Sequence, residues 1–205
     1  MKAIILAAGK GERIKKISQS LPKPMLSVNG KPILQHNIEL CKKFGITEIF
    51  INTHYLRDKI IDFFKDGSNF GVDITYSFEN EPLGTAGALN NFRKYINYDN
   101  FFVIYGDNIS NFNLYSLIEK FEEVNPLGVI GFHYREDISS SGVAEFDKNG
   151  KINLFIEKPK ADQTESHWVN AGVYYLSSKI LNYISTGFSD FAKDVFPLLL
   201  EKNEP

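Results

Sequence analysis

Gly9-Lys10-Gly11, Arg13 and Lys23 are the first residues of this chain whose types and spacing could do chemistry. A short apolar run, Ala3 to Ala8, reads as a fully buried strand and empties into the glycine pair. Without side chains there, backbone N–H groups can approach an anion closely. Arg13 and Lys23 bring two cations to the same strand end, which is where open α/β sheets bind ligands. The chemistry this suits is the grip of a nucleotide polyphosphate. Two familiar phosphate loops are excluded. A dinucleotide fingerprint needs its third glycine at position 14, which is Ile14, and a Walker loop needs Ser or Thr where Gly11 follows Lys10. Taken alone, Gly-x-Gly is equally an ordinary strand-to-loop turn.

Three further groups sit at expected strand or helix ends. Tyr105-Gly-Asp-Asn108 closes a second apolar run with a carboxylate. Mg²⁺ takes one or two protein carboxylates plus substrate phosphates, so Asp107 is a candidate ligand; a plain turn or helix-cap aspartate is the alternative. Glu81-Pro-Leu-Gly-Thr-Ala-Gly-Ala88 would open a helix with small residues, letting backbone lie against a flat base and ribose, or would simply pack loosely. Glu157-Lys158 ends another strand and could be a solvated edge. His36, His54, His133 and His167 have no metal-ligand spacing, and Ser139-Ser-Ser141 lacks the setting of a nucleophile elbow.

The order of these segments resembles that of the sugar-1-phosphate nucleotidyltransferases, which join a nucleoside triphosphate to a sugar 1-phosphate and release pyrophosphate. The matching stretches are Leu6-Ala-Ala-Gly-x-Gly-x-Arg13 with Pro22-Lys-Pro24, the octet at 81–88, Gly106-Asp107, Glu157-Lys-Pro159 and Asn170-Ala-Gly-Val173, running from residue 6 to residue 173. The resemblance implies a Rossmann-like three-layer α/β/α fold with a mainly parallel mixed sheet. It implies that Leu6, Ala7, Ala8, Gly9, Gly11, Gly84 and Thr85 hold the nucleotide. Arg13, Lys23, Asp107 and Lys158 are the expected catalytic residues, with Asp107 on Mg²⁺. Gly142, Glu157 and Asn170 are expected to face the sugar, although Gly142 alone could be a strand bulge. Gly87 is expected to serve close helix approach. The octet is most similar to mannose- and heptose-1-phosphate guanylyltransferases, which favours GTP; the amino-terminal motif is more similar to uridylyltransferases acting on amino sugars, and thymidylyltransferases also lie close.

One family feature is missing. Members commonly carry a second metal aspartate beyond a Phe-Pro-x-Leu-Leu helix; Phe196-Pro-Leu-Leu-Leu200 is present, but the sequence stops at Pro205. The expectation is a single nucleotidyltransferase domain over 1–205, lacking the family's C-terminal end, with a nucleotide-binding half to about 110 and a sugar-binding half after it. That gap leaves one alternative, a catalytically weak nucleotide-sugar-binding regulatory subunit. The Leu6-Ala-Ala-Gly-x-Gly11 stretch leaves another, because related cytidylyltransferases acting on phosphocholine or a phosphonate share it.

Composition narrows the partners. With 23 basic and 25 acidic residues the net charge is −2, and no basic excess suggests a nucleic-acid backbone. No apolar run reaches the ~18 residues of a membrane span, and the apolar start is too short for a signal peptide. The single cysteine, Cys41, excludes an internal disulfide framework and fits a reducing, cytoplasmic setting. A homo-oligomer is compatible with all of this.

The elements that must position these residues alternate. Helical spacing covers Leu34, Ile38 and Cys41 with Gly45 as the stop, then Leu56 to Phe64, a helix from Gly84 through Leu89, Phe92 and Ile96, and Leu114 to Phe121. Strands are expected at 3–8, 48–53, 72–78 and 101–105, giving parallel crossovers. After residue 126 strands follow one another at 127–134, 143–146, 152–156 and 168–176, with Asn149-Gly150 as a two-residue hairpin signal, and helices near 180–184 and 191–200.

Overall fold

Strand β1, Lys2–Leu6, sits in the middle of the sheet because both its faces are apolar: Ala3, Ile4 and Ile5 are fully buried. A computed structural model of the chain describes residues 1–9, 20–160 and 162–205. After β1 come a two-stranded ribbon, β2 Ser27–Val28 and β3 Lys31–Pro32, helix α1 Ile33–Lys43, strand β4 Glu48–Thr53, helix α2 Arg57–Phe64 and strand β5 Asp73–Phe78. Next are short helices α3 Gly84–Gly87 and α4 Arg93–Ile96, strand β6 Phe101–Tyr105 and helix α5 Leu114–Val124. Strands β7 Gly128–Tyr134, β8 Gly142–Phe146, β9 Ile152–Glu157 and β10 Trp168–Leu176 follow, then helix α6 Phe196–Glu201.

The main sheet runs β5-β4-β1-β6-β10-β8-β9, with β7 also paired to β10. The pairs β5–β4, β4–β1 and β1–β6 are parallel, while β10 is antiparallel to β6, β7 and β8. This is the Rossmann-like, three-layer α/β/α arrangement with its antiparallel part in the second half. Period-two alternation divides the core. Ala3, Ile5, Ile49, Ile51, Phe102 and Ile104 pack under α1, α2 and α5, whereas Ile4, Phe50, Phe101 and Val103 face the segment 86–96 and the C-terminal helices. Cys41 is fully buried in the first layer, and that burial pushes its thiol up to about 12, which makes it inert packing.

Four local expectations are corrected. The helix from Gly84 to Ile96 is not continuous, for the 3₁₀ stretch Ala88–Phe92 divides α3 from α4. The helix near 180–184 is a 3₁₀ segment, Ser178–Tyr183, capped by Ser177 Oγ on the Lys179 N–H. The 191–200 helix opens as a wide π turn, Phe191–Val195; Pro197 has no N–H to close the preceding turn, and the Phe196 N–H reaches back five residues to the Phe191 carbonyl. The hairpin at Asn149-Gly150 forms, but with a longer loop. Asp147 and Lys151 close it by a 2.9 Å hydrogen bond, and the Asp147 carboxylate accepts from Asn149 and Lys151 N–H. The two-residue turn is instead Asn29-Gly30, with φ of 51° and 78°, joining β2 to β3.

Candidate active site

The parallel register sets Leu6 beside both Asn52 and Tyr105, so three strands end at one edge. Beyond that edge Gly106 donates its N–H to the Leu6 carbonyl at 2.9 Å, folding the Gly106-Asp107 turn against the end of β1. Lys23 arrives from a 3₁₀ turn, Lys23–Met25, that starts after Pro22 and contains Pro24. Its Nζ lies 2.5 Å from Asp107 Oδ2, with both side chains partly exposed. The two expected catalytic groups thus meet across 84 residues of sequence. Ala8 and Gly9 continue from β1 into the same opening, whereas Ala7 is buried and does not line it. Gly11 and Arg13 lie outside the described residues.

A cavity of about 690 Å³ occupies this edge, lined by Leu6, Ala8, Gly9, Lys23, Gly84, Thr85 and Asp107 among the expected residues, and by Asn52, Glu79, Tyr105, Phe188 and Asp190 besides. Gly84 has φ +77°, and a Cβ there would come within 2.4 Å of the Ser189 carbonyl oxygen. Gly87 likewise lies against the Gly187 carbonyl, so its approach is to a loop rather than to another helix. The N–H groups of Ala86 and Gly87 both donate to Ser189 O. The Thr85 hydroxyl donates to Asp190 Oδ2 at 3.0 Å and accepts the Phe191 N–H at 2.9 Å, so it binds the protein itself and shapes the wall.

Sequence reasoning missed Asn52 and Glu79. Asn52 accepts the Ala7 N–H at 2.9 Å and donates to Glu79 Oε1 at 2.7 Å; the other Glu79 oxygen accepts the Leu83 N–H. This buried pair ties the end of β1 to the octet. A polar residue inside the apolar run of β4 was the available signal, because a buried amide must find partners. Asp190 was passed over too. Its Oδ1 accepts from Ala192 and Lys193 N–H as a helix cap, while its side chain also lines the cavity.

The expected sugar-facing residues gather on the antiparallel side. Gly142 pairs with Glu157, and a Cβ there would meet Phe155 at 2.7 Å and the Glu157 carboxylate at 3.0 Å; close packing, rather than a bulge, accounts for this glycine. Lys158 has φ +54°, held by its N–H on Ser141 O, and its Nζ is 3.7 Å from Glu157 Oε1. Burial raises the Glu157 carboxyl above the usual range, Lys158 pulls it down and Asp190 pushes it up. Asn170, Gly142, Glu157 and Lys158 do not line this cavity. Tyr105 and Asp190, which do line it, are near enough to Glu157 to interact with it electrostatically. Among the described residues no group of three or more His, Cys, Asp or Glu could hold a metal, and none of their helices is long and apolar enough to cross a membrane. The donor set at Asp107, one carboxylate beside a lysine at the mouth of a cavity, fits a hard cation shared with substrate phosphates.

The sequence profile of a family described as Nucleotidyl transferase matches residues 2–205. A UTP–glucose-1-phosphate uridylyltransferase of Synechocystis is 35% identical over 219 residues, covering all of this chain and 56% of that protein. Mannose-1-phosphate guanyltransferase beta-B of Xenopus laevis is 32% identical over 208 residues, covering all of this chain and 57% of its own length. The chain therefore spans a little over half the length of these curated relatives. In solved structures, HddC of Yersinia pseudotuberculosis complexed with GMP-PN superposes with a TM-score of 0.80 at 31% identity, over 96% of this chain and 85% of that one.

Proposed function

We propose, from the premise that this chain belongs to the nucleotidyl transferase family, that it transfers a nucleoside monophosphate from an NTP to a sugar 1-phosphate. The observation that carries the reading is the Lys23–Asp107 contact at 2.5 Å, standing at the strand ends where Leu6, Ala8 and Gly9 line a large cavity. A sugar 1-phosphate oxygen attacks the α-phosphorus; that P–O bond forms as the bond to pyrophosphate breaks. The protein's share of such a reaction is positioning and charge stabilisation. Lys23 donates to phosphate oxygens near the reacting centre, and Arg13 is assigned to the leaving pyrophosphate. Leu6 to Gly9, Gly11, Gly84 and Thr85 frame the nucleotide. Lys158 pins the attacking phosphate, with Gly142, Glu157 and Asn170 orienting the sugar. Asp107 would hold Mg²⁺, which neutralises phosphate charge when bound.

The base we favour is guanine. The octet at 81–88 resembles that of mannose-1-phosphate guanylyltransferases, and one such protein is 32% identical to this chain. A cytoplasmic setting agrees with these substrates and with the buried, unpaired Cys41. A pyrophosphate-release screen tests the reading, with GTP, UTP, dTTP, ATP and CTP each offered mannose 1-phosphate and glucose 1-phosphate. GTP should give the fastest release. Tight nucleotide-sugar binding with no release from any pair would make the chain a regulatory subunit.

A further inference from the structure

Tyr174 is fully buried, and nothing in the proposed reaction uses its hydroxyl. Its hydroxyl accepts the Asn170 amide N–H at 2.7 Å, and its ring packs edge-on against Tyr105 with centroids 5.7 Å apart. Tyr105 in turn lines the large cavity at the strand ends.

We propose that Tyr174 is a positioning residue: its buried hydroxyl holds the Asn170 amide while its ring rests on Tyr105, which fixes Asn170 against the wall of the cavity. The backbone is shaped for that contact. Four residues of regular strand span ~13 Å, too far for a direct side-chain bond at i and i+4 without help. Here the β10 register shifts between Asn170 and Tyr174, and Gly172 in the shifted stretch has φ +69°. A Cβ at Gly172 would fall within 2.6 Å of the Tyr105 ring, so the same glycine both bends the strand and admits the tyrosine. The remaining Asn170 oxygen accepts the Gly172 N–H at 2.9 Å, which leaves the amide one orientation. Burial pushes the Tyr105 hydroxyl up to about 12 and raises Tyr174 well above its usual value, so both keep their protons at neutral pH.

The inference rests on the proposed sugar 1-phosphate reaction, and its test separates the two. Tyr174→Phe removes one oxygen and keeps the ring. With GTP and mannose 1-phosphate, KM for the sugar phosphate should rise roughly tenfold while KM for GTP stays within about twofold. If Tyr174→Phe fails to fold, the wild type still decides: its Asn170 side-chain amide protons should exchange slowly by NMR, and fast exchange would overturn the proposal. Asn170→Ala should match the Tyr174→Phe split, and adding Tyr174→Phe to Asn170→Ala should change nothing more. Unchanged sugar kinetics, equal rises for both substrates, or additive losses in the double variant would overturn the proposal. If the wild type turns over no substrate pair, the reaction assignment fails on its own account. Calorimetry then decides the inference: Tyr174→Phe should weaken GDP-mannose and spare GDP, and equal effects on both, or no wild-type binding of GDP-mannose, would overturn it.

Discussion

At the residue scale the site is a set of charges whose partners are already inside the protein. Asp107 faces Lys23 before any substrate arrives, so a cation entering there competes with an ammonium at 2.5 Å. Asp107→Asn keeps the shape and removes the charge; GTP affinity measured by calorimetry should lose its Mg²⁺ dependence, and equal Mg²⁺ linkage in both proteins would remove Asp107 from the metal. Glu157 offers a pH test. Its carboxyl is raised mainly by burial, so ionisation is harder in the folded chain than in the unfolded one. That penalty is present at neutral pH and vanishes as pH falls through the folded value to below about 4.3. Glu157→Gln should therefore melt about 1–3 °C higher than wild type at pH 7, with the gap closing in acid while sugar use is lost. A gap that widens in acid would reverse the sign of the effect.

At the element scale, turns and short helices do the placing. The Asn29-Gly30 turn precedes α1, whose Asn37 donates to the Asn108 carbonyl at 3.0 Å, just past Asp107. Gly30→Ala should cost about 1–2 kcal/mol, since a Cβ disfavours φ +78° though space is open around it. Gly84→Ala faces the same backbone penalty plus the Ser189 carbonyl, and should cost more than about 2 kcal/mol while weakening nucleotide binding. Thermal melts of the two variants, with and without GTP, check that ranking. The long elements were legible from period alone: α1, α5, β4 and β10 fall where apolar spacing puts them. The α3–α4 segment was not, because apolar spacing cannot distinguish a 3₁₀ turn from an α turn when the loop at 187–189 decides it.

At the scale of the whole molecule, β10 is the join. It pairs with β6 of the parallel half and with β7 and β8 of the antiparallel half, and Tyr174 packs on Phe191 and Phe196. The second core layer mixes Ile4, Phe50 and Phe101 with Val195 and Phe196, so neither half closes a core alone. A fragment ending at residue 110 should show neither a cooperative melt nor slow amide exchange in β6. The whole chain should melt in one transition, raised by GTP. An independently folded fragment would split the chain into two domains.

The sequence by itself determined the strand–helix alternation, the apolar faces and the motifs at 6–13, 22–24, 81–88, 106–107, 157–159 and 170–173. These are written in local spacing, which depends only on the periods of strand and helix and on the side chains each chemistry needs. Which of those residues meet was decided by the tertiary structure. Lys23 reaches Asp107, Asn52 reaches Glu79 and Asn170 reaches Tyr174 because strand order, a shifted register and close glycine approaches bring them there. Pairwise hydrogen bonds between distant residues leave no period in a sequence, so only the folded chain could select them.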